Sequence, residues 1–270
     1  MGLSLIFFSC SSQEKPPAKT PFPHKGEYIS RMHHEYTYSL PPPALAGPKP
    51  TYPWETSYIG TLPRITKEFF RCKGNPLNPV RIVKEAEGLV RYYDCGGVEK
   101  HSLPLNNGKE FIYPILIELL NYLQVKTNKR VVITSGHRCP EHHAYTDPRP
   151  SSRNSKHLMG AEVSFYVQGL EDRPEEVVQE LKRYYQQEPK YKEQKEFTEF
   201  LCYEKEDTQT MTRPLYNKEI FIKLYKATEG RNFDNRHPYP YISIQVRYDT
   251  ATQKKVVFDA QQAFRNYLRH

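Results

Sequence analysis

Prolines decide where this chain can fold. Pro16, Pro17, Pro21 and Pro23 are followed by Pro41-Pro42-Pro43, Pro48, Pro50 and Pro53. Proline fixes φ and removes a backbone donor, so neither a helix nor a central strand persists through such a stretch. The segment is predicted to be extended, at about 3.1 Å per residue, with a reach on the order of 100 Å. Beyond it the prolines thin out and apolar periodicity begins. Residues 11–58 therefore read as a disordered Pro-rich linker and 59–270 as one folded domain. The 13 Phe and 21 Tyr of the 270-residue chain supply that domain with a core.

Ahead of the linker stands Met1-Gly2-Leu3-Ser4-Leu5-Ile6-Phe7-Phe8-Ser9-Cys10. This short apolar run ends at a small residue and a cysteine. It is too short to span a bilayer, which takes about 20 residues. It resembles the end of a bacterial lipoprotein signal peptide, and residues 1–10 are read as that remnant. The resemblance implies diacylglyceryl modification of Cys10 and a lipid-anchored, periplasm-facing place in the cell envelope. The lysines usual before the apolar run are missing and Phe7 stands where Leu is commoner, so the natural start is expected upstream of Met1.

The formal net charge of +8 suits a polyanionic surface such as anionic lipid or an acidic wall polymer. No zinc-finger spacing, aromatic RNA-binding signature or phosphate-binding loop accompanies it, so nucleic acid is not expected as a partner. Beyond Cys10 the cysteines are Cys72, Cys95, Cys139 and Cys202. None forms a C-x-x-C pair, which argues against a structural zinc knot. An even count in an exported domain points to two disulfides. Cys72–Cys95 and Cys139–Cys202 are expected, since short loops close most easily.

The domain reads as α+β. Short strands are predicted over 80–83 and 89–93, then a helix over 111–123 with Pro114 in its first turn. A strand over 130–134, a loop over 135–158 and a strand over 162–167 follow. A helix over 175–187, strands over 220–225, 241–248 and 256–258, and a closing helix over 260–268 complete the pattern.

The loop carries the one specific signal. It reads Ile133-Thr134-Ser135-Gly136-His137-Arg138, and then Ser155-Lys156-His157-Leu158-Met159-Gly160. This resembles the M15 peptidases, the zinc D-Ala-D-Ala carboxypeptidases and dipeptidases. Their motifs are a strand ending S-G-x-R, then S-x-H-x-x-G-x-A-x-D, and a C-terminal E-x-x-H. The resemblance implies a hedgehog/DD-peptidase-like domain, a small antiparallel sheet flanked by helices. It implies a zinc held by two histidines and an aspartate, with a glutamate as general base and an arginine orienting substrate. Such a zinc keeps one open position for water and lowers that water's pKa to about 7.

His157 matches the first ligand and Arg138 the arginine. Ser164 stands at the aspartate position, Ser243 at the second histidine and Pro240 at the base. Serine is a poor zinc ligand and proline cannot act as a base. Rescue would have to come from His237, His142, His143 or Glu162. Glu162 shares a strand face with Ser164 but lies about 6.6 Å from it along the strand.

The expected function is therefore that of a pseudoenzyme. The chain is read as an M15-like lipoprotein without a working cofactor site, whose Ser135, Arg138 and Ser155 bind the stem peptide of peptidoglycan, or which serves as a scaffold for an envelope protein. An active zinc carboxypeptidase or endopeptidase with a rearranged site is the alternative. A third possibility is a secreted interaction protein with a tyrosine-rich surface and no wall role.

Overall fold

The computed structural model describes residues 57–97, 100–149, 152–204 and 210–269. The readings of Cys10, of the lipoprotein leader and of the linker up to residue 56 lie outside these. The described part is α+β.

After a hairpin of two-residue strands, Tyr58–Ile59 with Leu62–Pro63, β1 (Arg81–Glu85) pairs antiparallel with β2 (Gly88–Tyr92). Helix α1 (Pro114–Thr127) follows. Pro114 sits at its start, where a missing N–H costs nothing. Asn128 ends it in the left-handed conformation at φ 50°. Strand β3 (Val131–Ser135) leads into the short helix α2 (Pro140–Thr146) and a 3-10 turn over Lys156–Met159. Strand β4 (Glu162–Val167), helix α3 (Pro174–Gln187) and the single turn α4 (Lys195–Thr198) come next. Strands β5 (Leu201–Cys202), β6 (Leu215–Tyr216), β7 (Ile220–Tyr225) and β8 (Tyr241–Val246) precede the final helix α5 (Ala260–Arg265).

The six strands from β3 onward form one antiparallel sheet in the order β3-β4-β8-β7-β6-β5. Side chains alternate faces along a strand, and here the alternation divides apolar from polar. Val163, Phe165 and Val167, Ile242, Ile244 and Val246, and Ile220, Ile222 and Leu224 belong to one buried core. Helix α1 adds Leu116, Leu119, Leu120 and Leu123 to it, and α3 adds Val177, Leu181 and Tyr185. Burying each such side chain contributes about 1.5–3 kcal/mol. The opposite face carries Glu162 and Ser164, Ser243 and Gln245, and Lys223 and Tyr225, which floor a cavity.

Two expectations need correction. The segment 135–158 is not all loop. Cys139 caps α2, its sulfur accepting from the His142 N–H, and Pro140 fixes the first turn. Apolar periodicity missed this short helix because, beside Tyr145, it buries the polar His142, His143 and Thr146. Residues 256–258 form no strand, and Lys254–Lys255 pairs instead with Tyr248–Asp249.

Candidate functional site

The cavity has a volume of about 260 Å³ and an almost wholly polar lining that includes Arg138, His143, His157, Glu162 and Lys223. A row of register partners runs across four strands, and Lys223, Ser243 and Ser164 of it line the cavity. Lys223 is the register partner of Ser243, Ser243 of Ser164, and Ser164 of Ser135. The last pairing exists because the β3–β4 register shifts between Ile133 and Ser135. Such a bulge re-aims the strand that carries it.

Arg138 is held rigidly above this row. Its Nε donates to Ser135 Oγ at 2.7 Å and to Asp234 Oδ2 at 2.8 Å. Asp234 Oδ1 takes a further bond from His142 Nε2 at 3.0 Å, and His142 Nδ1 reaches Asp94 Oδ1 at 2.6 Å. The result is a buried chain of alternating charge, Asp94–His142–Asp234–Arg138. Burial disfavours the imidazolium, but the two carboxylates outweigh it and push the His142 pKa up to about 9. Burial also works against the Asp234 carboxylate, yet Arg138 and His142 hold it below its ordinary range. Arg138 is 3% exposed and its Nη2 has no partner. A buried N–H without an acceptor costs about 1–3 kcal/mol. The site thus contains one strong donor unused.

His157 sits on the 3-10 turn that Ser155 caps. Its Nδ1 donates to Gly136 O at 2.7 Å, which leaves the Nε2 lone pair facing Ser164 Oγ at 3.3 Å. Burial, aided by the charge on Arg138, pushes its pKa down to about 4, so it is neutral at pH 7. Glu162 Oε1 lies 3.6 Å from His157 Nε2 and accepts from Ser243 Oγ at 2.7 Å and Gln245 Nε2 at 3.1 Å. Desolvation opposes this carboxylate, but the His157 imidazolium present at acid pH, Lys223 and the two hydrogen bonds hold its pKa near 2. The spacing along β4 had argued against an approach of Glu162 to His157. A side chain leaning along its strand closes the distance.

The other residues singled out in the sequence divide. Ser135 is spent on Arg138, and Ser155 lines the cavity with its Oγ 3.4 Å from Glu162 Oε2. His142 is engaged by the two aspartates. His143 Nε2 donates to Ser152 O at 2.8 Å, while its Nδ1 has no partner. His237 stacks among Tyr166, Tyr239 and Tyr241 instead of joining His157.

Among the described residues, two sets of three or more ligating side chains have donor atoms within 4.8 Å of one another. One is Cys72, Cys95, His101 and Cys139, and the other Asp94, Cys95 and His142. His157 is in neither. One imidazole with serines at the other two ligand positions does not fit the zinc of the M15 pattern.

The disulfide expectation is also corrected. Cys72, Cys95, Cys139 and Cys202 are free. Cys139 gathers with Cys72 and Cys95, whereas Cys202 is exposed on β5. Cys72 and Cys95 do lie side by side, their sulfurs 3.7 Å apart, but Cys139 gathers with them and not with Cys202.

Asp94, Asp234, Lys223 and His101 escaped the sequence reading. Lys223 could have been found from the alternation in Ile220-Phe221-Ile222-Lys223-Leu224-Tyr225. Asp94 and Asp234 lie outside regular elements and carry no periodic signal. No family model matches the chain, and neither the curated proteins nor the solved structures contain a match. No described helix is long and apolar enough to cross a membrane.

Proposed function

We propose that the cavity binds the carboxylate end of a peptide of the cell-wall stem kind and does not cut it. The domain is read as a hedgehog/DD-peptidase-type fold with a degenerate metal position, held at the bacterial envelope through lipid on Cys10. The observation that carries this is Arg138, which lines the polar cavity and whose buried Nη2 has no partner. A carboxylate would satisfy it with a charge-assisted bond, the strongest ordinary kind. Glu162 supplies the opposite charge for a peptide N–H or ammonium. The family reading gains support from Ser164 and Ser243, which face each other beside His157 where the motif expects aspartate and histidine. Two hydroxyls there leave zinc without a ligand set, which disfavours hydrolysis.

The alternative is an active zinc carboxypeptidase with a rearranged site. What favours it is Glu162 Oε1 at 3.6 Å from His157 Nε2, with His143 lining the same cavity.

Calorimetry with a peptide ending in D-Ala-D-Ala, with and without added zinc, tests both readings when paired with mass spectrometry of the products. Binding is expected to fall at least about tenfold in Arg138→Gln, the loss of one charged hydrogen bond of about 1.5–3 kcal/mol. No cleavage is expected in either condition. Equal affinity for the C-terminally amidated peptide would refute carboxylate binding. Zinc-dependent cleavage that vanishes in His157→Ala would establish the peptidase instead. Labelling with radioactive palmitate, lost in Cys10→Ala, tests the anchor.

A further inference from the structure

We propose that Cys72, Cys95, His101 and Cys139 form a closed, structural zinc site that locks the β1–β2 hairpin onto the wall of the cavity. All four side chains are buried, with exposures of 4%, 8%, 4% and 0%. Cys72 Sγ and Cys95 Sγ are 3.7 Å apart, and Cys95 Sγ is 3.5 Å from His101 Nε2. A tetrahedral zinc with Zn–S of about 2.3 Å and Zn–N of about 2.05 Å places its sulfurs about 3.8 Å apart and its sulfur and nitrogen about 3.6 Å apart. These two separations match that geometry, and all four ligand atoms, Cys139 Sγ included, lie within 4.8 Å of one another. They are too long for a disulfide, whose sulfurs lie about 2.05 Å apart.

The surroundings are those of a built site. His101 Nδ1 donates to Ser102 O at 3.1 Å, which fixes the tautomer and leaves the Nε2 lone pair toward the sulfurs. Backbone N–H groups of Gly97 and His142 point at Cys95 Sγ and Cys139 Sγ, at 3.4 and 3.3 Å. Such donors stabilise thiolates. Gly97 has φ +78°, and a Cβ there would lie 2.5 Å from Gly74 O. A Cβ on Gly74 would lie 2.0 Å from Cys95 Sγ. Both glycines are therefore required where the backbone wraps the cluster.

The need for a crosslink is physical. An isolated hairpin is marginal in water, and this one leaves Ile82 and Leu89 exposed at 59% and 73%. Apart from the three cysteines, the small buried cluster beside it contains only Tyr267. Soft thiolate and imidazole donors in tetrahedral array select zinc. As the metal binds, each thiol releases its proton to solvent, and Zn²⁺ with three thiolates and a neutral imidazole has a net charge of −1. Cys95 adjoins Asp94, and Cys139 adjoins Arg138. The metal would thus fix both ends of the buried charge chain.

The test uses the full chain, purified without chelator, and reads metal by elemental mass spectrometry. One zinc per chain is expected in the wild type and in His157→Ala, and none in Cys95→Ser or Cys139→Ser. Where those variants fail to fold, cobalt exchanged into the wild type gives the answer. Thiolate-to-cobalt charge-transfer bands and intense tetrahedral d–d bands are expected, and Cys72, Cys95 and Cys139 should resist a thiol reagent until metal is removed. A chain that takes up no zinc after reduction and zinc exposure would overturn the proposal. So would a Cys72–Cys95 disulfide in the protein as purified, or zinc that disappears in His157→Ala while persisting in Cys95→Ser. The last result would also favour the peptidase reading, so the two proposals fail separately.

Discussion

Ser164 and Ser243 are direct partners across antiparallel strands β4 and β8, and His157 Nε2 lies 3.3 Å from the Ser164 hydroxyl. One hydroxyl thus meets the imidazole, and its register partner Ser243 is bonded to Glu162, at the positions where the M15 pattern carries an aspartate and a histidine. Installing that pattern should install a metal site. The double variant Ser164→Asp/Ser243→His is expected to bind one zinc more than the wild type, and to lose it again when His157→Ala is added. Competition with a chromophoric chelator measures this. No additional zinc would mean that the three positions do not converge as the family's ligands do.

Gly136 explains why its motif position needs no side chain. A Cβ there would lie 2.5 Å from Phe70 Cα and 2.6 Å from Phe70 O. Both are backbone atoms, and the His137 N–H donates to that same carbonyl at 2.7 Å. Gly136→Ala is expected to destabilise the domain by about 1–3 kcal/mol or more through overpacking, and to weaken peptide binding by moving Arg138. Urea denaturation checks the first effect and calorimetry the second. Unchanged stability would mean that the approach is looser than it looks.

Asp234 should govern the acid limb of stability. Its folded pKa lies below the ordinary 3.8. A carboxyl depressed in this way contributes stability that is present above its unfolded pKa and lost as pH falls from there toward the folded value. Wild-type stability is therefore expected to drop as pH falls below about 4. Asp234→Asn should flatten that limb and cost about 3–5 kcal/mol at pH 7, since Arg138 and His142 lose a buried counter-charge. Denaturation curves from pH 3 to pH 7 measure both. An unaltered slope would assign the limb to other carboxyls.

Ser135 serves Arg138 and not the ligand. Ser135→Ala removes one of two acceptors for Nε, with Asp234 still in place. A loss of about 0.5–1.5 kcal/mol in stability is expected, with peptide affinity changed far less than by Arg138→Gln. A tenfold loss of affinity would return Ser135 to the binding surface.

The sequence made the frame legible and left much of the site hidden. Strands 162–167 and 220–225 were read to the residue, because alternating apolar side chains are what one-sided burial demands. The stretch around Arg138 and His157 was found by motif. Helix α2 was not, because it has only seven residues and buries two histidines and a threonine beside its one buried aromatic, Tyr145. Asp234 was not, because it reaches Arg138 from 96 positions away along the chain. The gathering of Cys72, Cys95 and His101 with Cys139 was not read, because Cys139 comes from a distant stretch of chain. Glu162 was undervalued because distance along a strand says little about where a flexible side chain ends.

The bond between Ser243 and Glu162 spans 81 positions of chain. At synthesis rates of about 5–20 residues per second, Glu162 is made roughly 4–16 s before the serine that completes the floor. Arg138 and His157 wait longer still. Contacts this remote also slow folding, because the intervening chain must be closed before they form. The cavity is therefore a late product of biosynthesis. A nascent chain can carry its motif residues and its first helices with no floor beneath them, and a ligand met at that stage finds nothing assembled to hold it.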